Sequence, residues 1–185
     1  MRDPSDGTRL SGRAFSCMGG GPMDLRAAFS DEEWARVVAA PMLASMAITA
    51  GEPSGLIGTI RESFAVAAAI QKAGGTEGAN ALVEAVAGAY DTAEGRASAR
   101  AVLQDDIKDR PRAEVAHVAV DALAEIARVV EARAPAAAGG YKDWLRAIAQ
   151  SVAEAASEGA ILGIGGERVS EGERATLAEI DRALG

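Results

Sequence analysis

Three observations predict an all-α fold, a single-domain bundle of about six to seven helices joined by short loops. Alanine, the strongest helix former, fills 43 of the 185 positions. Phe, Trp and Tyr make up only 4% of a chain that is 49% hydrophobic, so the aromatic residues that strands favour are scarce. From Ser30 onward, apolar residues recur at three- and four-residue steps, the period of one helix face.

The first residues stand apart. Residues 1–29 carry Pro4, Gly7, Gly12, Gly19, Gly20, Gly21 and Pro22 among polar residues with no apolar period, and are predicted to be a disordered extension. The helical domain is expected over residues 30–185. Gly19-Gly20-Gly21 would be encoded by GGN codons, which is how a purine-rich ribosome-binding site reads when translated, so translation is expected to begin at Met23. No apolar h-region precedes Ala14-Phe15-Ser16-Cys17, and a secretory or lipoprotein signal is not expected.

Ser30-Asp31-Glu32-Glu33 is a capping box and starts the first helix. Trp34, Val37, Val38, Pro41, Ser45 and Ile48 form its apolar stripe, widened by Met42 and Met46, and Pro41 is expected to bend or split it. A second helix is expected from about Leu56 to Ala73, ended by Gly74-Gly75. Thr76-Glu77 opens a third, which stops near Tyr90-Asp91, and a fourth runs from about Ala93 to Asp109. Pro111 suits the first turn of a fifth helix, whose period is the clearest: Val115, Val118, Ala119, Ala122, Ile126, Val129 and Val130. Residues 135–140 are expected to form a loop, and a sixth helix to run from Tyr141 to Ser157 with Trp144, Leu145, Ile148 and Val152 facing inward. Ser170-Glu171-Gly172-Glu173 is a second capping box, starting a short last helix with Leu177, Ile180 and Leu184.

Composition excludes several functions. With a formal net charge of -8 and a pI near 4.8, the chain gains nothing from phosphate backbones or anionic lipid, so neither nucleic acid nor membrane is an expected partner. No stretch reaches the roughly 18 to 20 apolar residues of a spanning helix, and a cytoplasmic protein is expected. The lone Cys17 rules out an internal disulfide framework. Among 19 basic residues only Lys72, Lys108 and Lys142 are lysine, and this bias, with abundant Ala and Gly, points to a GC-rich bacterial genome.

Chemistry-bearing residues are few. Glu114 and the only histidine, His117, have the Glu-x-x-His spacing of di-iron bundles, but such sites need two such elements. On the helical wheel both fall opposite the apolar stripe, and His117 pairs in sequence with Asp121 at i+4 as a surface pair. Gly159 to Ser170 holds a Gly-x-Gly-Gly run leading into a helix start, the general geometry of an anion site. There Gly165, Gly166, Arg168 and Ser170 are the candidate binding residues, although the Lys-Ser/Thr of a P-loop is missing. The plainer reading has these glycines end the sixth helix, Ile161, Leu162 and Ile164 enter the core, and Ser170 cap the last helix. Glu52, Glu158, Glu167, Glu171 and Glu173 are candidate ligands for a divalent cation, since hard cations want several oxygens. Ser45 to Gly58 faintly echoes Ser151 to Gly163, which would place two helix-loop-helix units about a pseudo-twofold axis.

The pattern Ala-x-x-Ala-x-(acidic), then Gly-Glu-x-Val-Ser-x-x-Glu-x-x-x-Leu-x-x-Ile, from Ala153 to Ile180, resembles half of the repeat of TerB-like tellurite-resistance domains. That resemblance implies an acidic helical bundle with a metal-binding role in stress response. It covers the last fifth of the chain. Gly163-Ile164-Gly165-Gly166 stands where that family places an acidic loop, and Glu52 is the one carboxylate in the corresponding first half. The leading expectation is a non-catalytic, cytoplasmic interaction or scaffold domain that binds a protein partner or a second copy of itself, with small-residue faces such as Ala65 to Ala69 available for packing. The alternatives are a cation-binding stress protein and an anion or small-molecule binder at the Gly-rich loop.

Overall fold

The computed structural model describes residues 25–50, 80–158 and 169–185, with side chains described to residue 155 in the second stretch. Among them are six α-helices and no strand: α1 (Asp31–Ala50), α2 (Ala81–Asp91), α3 (Ala93–Ile107), α4 (Arg112–Arg133), α5 (Pro135–Glu158) and α6 (Glu171–Leu184). The chain is an all-α bundle, as its composition predicts. The helix expected over 56–73 lies outside the described residues, as do residues 51–58 and 159–163 of the echo between 45–58 and 151–163.

α1 starts where its capping box predicts. The Ser30 hydroxyl accepts from the Glu33 N–H at 3.1 Å, and the Ser30 N–H donates to the Glu33 carboxylate at 2.8 Å. Just before it, Leu25–Ala28 form a 3-10 turn and Phe29 is buried, so the end of the segment expected to be disordered is ordered. The reason is a hydrophobic staple: Phe29 precedes the cap and packs on Trp34 with ring centroids 5.9 Å apart. Arg26 closes the turn by lying over the Trp34 ring at 5.6 Å and pairing with Asp31.

Val37, Val38, Ala39, Ala40 and Pro41 are all buried, and five consecutive residues cover more than one 3.6-residue turn. Mid-length, α1 is therefore enclosed on every side rather than along one stripe. It touches all five of the other described helices. Pro41 does not split α1, which is continuous from Asp31 to Ala50. Proline supplies no N–H to the carbonyl four residues back, here Val37. The Tyr141 hydroxyl from α5 donates to that carbonyl at 2.7 Å, and the Tyr90 hydroxyl from α2 donates to the next one, Val38, at 2.8 Å. Burial holds both phenols in the protonated, donating form, raising their pKa above the ordinary tyrosine value.

Two helix boundaries differ from expectation for one shared reason. α2 begins at Ala81, not at Thr76-Glu77, because Asn80 is its cap: the Asn80 side chain accepts from the N–H groups of Leu82 at 3.0 Å and Val83 at 3.3 Å. The same side chain donates to the Ala137 carbonyl at 2.8 Å. Residues 135–140, expected to be a loop, are instead the first turn and a half of α5. Pro135 takes the first helical position, which lacks no bond for want of an N–H, and Ala137 and Ala138 are buried. Gly140 lets Asn80 reach in: a Cβ there would lie 2.5 Å from the Asn80 amide nitrogen.

Elsewhere single residues make the corners. Thr92 ends α2 by donating its N–H to Ala89 and caps α3 by accepting from the Gly95 N–H at 3.0 Å. Gly95 is required there, since a Cβ would come within 2.1 Å of the Ala89 carbonyl oxygen. Of the period read from sequence, α4 buries Ala119, Ala122, Ile126 and Val130 and half-buries Val115, Val118 and Val129, and it also buries Val120, Leu123 and Ala127. α6 starts with the second capping box and buries Ile180 and Leu184.

Two outcomes test this packing. Tyr141→Phe is expected to cost about 1–3 kcal/mol in urea unfolding, because the Val37 carbonyl stays buried without a donor. In a Pro41→Ala background, where residue 41 again has an N–H, the same substitution is expected to cost measurably less, and equal costs in both backgrounds would contradict this account. Gly140→Ala is expected to lower the melting temperature although Ala favours helix by about 1 kcal/mol over Gly, because the thrice-bonded Asn80 side chain has to move.

Candidate functional site

A cleft of about 240 Å³ opens between α1 and α4, lined by Glu32, Glu33, Arg36, Val37, Glu125, Ile126 and Val129. The helical period creates its layered character. Val37 and Ile126 belong to the core faces of their helices and form a buried apolar floor, with Val129 half-buried beside them. Glu32, Glu33, Arg36 and Glu125 sit at the polar margins of those faces and form the rim.

The rim is held by ion pairs between helices. Arg133 of α4 donates to the Glu33 carboxylate through Nε at 3.1 Å and Nη2 at 2.9 Å. The Ser30 backbone N–H, first, and Arg133, second, lower the Glu33 pKa below the ordinary carboxylate value. Arg36 is shared, lying 3.3 Å from Glu125 and 3.7 Å from Asp106 at the end of α3. The second oxygen of Asp106 is buried and has no hydrogen-bond partner among the described residues. Burial raises the Asp106 pKa, opposed by Arg36 and reinforced by the negative charges of Asp105 and Glu125. Two carboxylates, Glu125 and Asp106, thus share one guanidinium.

Of the residues singled out by sequence, Glu52, Gly165, Gly166, Glu167 and Arg168 lie outside the described residues, as does the side chain of Glu158. Glu171 is exposed in the first turn of α6. Glu173 is 3% exposed, and its carboxylate accepts from the Ser170 N–H at 2.8 Å, while the Ser170 hydroxyl accepts from the Glu173 N–H at 3.1 Å. A carboxylate of the chain itself thus sits against the first N–H groups of α6. Among the described residues, no group of three or more His, Cys, Asp or Glu is placed to hold a metal ion. His117 is exposed, as the helical wheel predicts, but its ionic neighbour is Glu179 of α6 at 3.6 Å rather than Asp121. Sequence reasoning identified Glu33 as a cap and missed Arg36, Asp106, Glu125 and Arg133 as a group. The available signal was their place at the edges of apolar stripes.

What fold and cleft define together is an all-α helical bundle with a charge-rimmed, apolar-floored recess between two of its longer helices. No helix among the described residues is long and apolar enough to cross a membrane. No family model matches the chain, and neither a curated protein nor a solved structure matches it.

The pH dependence of stability has two opposing parts here. Glu33, with its lowered pKa, stabilises the fold above the unfolded value, and this is lost as pH falls through the lowered one. Asp106, with its raised pKa, penalises the fold when ionised, and the penalty is relieved as pH falls through the raised value toward the ordinary aspartate range. Asp106→Asn is therefore expected to raise the melting temperature at pH 7, with the gain shrinking as pH falls through the raised Asp106 pKa and the wild-type carboxyl takes up its proton. A calorimetric pH series checks this; a gain that grows on acidification would contradict it.

Proposed function

We propose that this chain is a non-catalytic helical interaction domain that works in the cytoplasm by seating part of a partner protein against α1 and α4. The observation that supports this reading is the α1–α4 cleft. At about 240 Å³ it is smaller than the roughly 300–1,000 Å³ of pockets that enclose small molecules, yet large enough for one long side chain of another protein. Its floor belongs to the rigid core, and a few anchors in well-packed recesses carry most of the energy of protein interfaces. Its polar rim residues are tied to each other across helices, which keeps the recess open and in shape.

A photo-crosslinking residue at Val129, in the cleft, is expected to capture a discrete partner in the cells that make the protein. The same residue at Gln150, exposed on α5, is expected to capture none. An adduct at twice the chain's mass would identify the partner as a second copy. Equal capture from both positions, or none from Val129, would refute the reading.

A further inference from the structure

The inference rests on the reading of the α1–α4 cleft as a partner site and concerns the chemistry of its occupant. We propose that the cleft receives an arginine or lysine side chain from a basic segment of the partner protein, its aliphatic stem on Val37, Ile126 and Val129 and its charged head among Glu32 and Glu125.

The cleft has the two-part surface such a side chain needs. Arginine and lysine bury their methylene stems on apolar surface while keeping the cationic head among polar groups. The floor of the cleft is aliphatic, and Glu32 and Glu125 stand at its mouth, the Glu125 side chain 61% exposed. The charge balance has the matching sign. Among the described residues, Arg133 answers Glu33 and Arg36 is shared between Glu125 and Asp106, with Asp105 adding to the repulsion and Glu32 exposed nearby. Positive charge entering the cleft relieves that excess, and a carboxylate entering it would add to it. The net charge of -8 extends the same preference outward and speeds the approach of a basic partner. Asp106 is a built-in reporter: it faces Arg36 of α1, Asp105 of its own helix and Glu125 of α4, so a cation held by Glu125 lowers its pKa.

The test uses the full chain labelled with nitrogen-15 and two synthetic helical peptides of Ala and Leu, one bearing arginines and one bearing glutamates at the same positions. The arginine peptide is expected to shift the amide signals of Glu32, Arg36, Glu125 and Val129, to lower the Asp106 pKa in a carboxyl titration, and to weaken with added salt. Glu125→Gln and Glu32→Lys are each expected to weaken it by about tenfold, while Glu84→Lys, on the exposed face of α2, leaves it unchanged. Thermal melts of each variant show that it is folded. Shifts spread over the acidic surface, or equal weakening by Glu84→Lys, would overturn the proposal, since they report unspecific attraction. If the glutamate peptide occupies the cleft and the arginine peptide does not, the basic occupant is wrong while the cleft remains a partner site. If neither peptide moves the cleft signals and Val129 captures nothing in cells, both readings fall together.

Discussion

The bundle depends on a proline in the middle of its most enclosed helix. Pro41 leaves the Val37 carbonyl without its intrahelical donor at a point where α1 is buried all round and water cannot serve instead. The chain has two tyrosines, and both spend their hydroxyls at this place, Tyr141 on Val37 and Tyr90 on Val38. α2 and α5 are thereby located against α1 by directional bonds, not only by the non-directional burial of small side chains. In a core where alanine is the most frequent residue, two such bonds discriminate between registers that hydrophobic contact alone would leave close in energy.

A second set of bonds joins α2 and α5 to each other. Asn80 caps α2 and reaches the Ala137 carbonyl over Gly140, so the start of one helix is fastened to the start of another. Together with the tyrosines this makes a closed triangle: α2 to α1, α5 to α1, and α2 to α5. Where α4 lies along α1, the ion pairs Arg36–Glu125 and Arg133–Glu33 join the two helices at the rim of the cleft.

The border is electrostatically uneven. Glu33 is satisfied twice, by a helix start and by Arg133, whereas Asp106 is left with a long contact to a shared arginine and one unpartnered oxygen. Asp106 is not in the lining of the cleft; its contact with it runs through Arg36 of the rim.

Much of this was legible in the residues. The helical class follows from alanine content and apolar spacing. The starts of α1 and α6 follow from Ser30 with Glu33 and Ser170 with Glu173, and the inward face of α4 from its period, because each arises between residues three or four apart on one helix. The rest joins residues far apart in sequence. Tyr141 is 104 positions from Val37, Asn80 is 57 from Ala137, Arg36 is 89 from Glu125 and Arg133 is 100 from Glu33. Locally, Ala136-Ala137-Ala138-Gly139-Gly140 after a proline reads as a loop, since glycine pairs disfavour helix. Only the burial of Ala137 and Ala138 and the bond from Asn80 make it the start of α5. The cleft and its shared arginine were equally out of reach. Sequence shows that each rim residue lies at the margin of a stripe, while which margins face each other depends on how the other five described helices settle around α1.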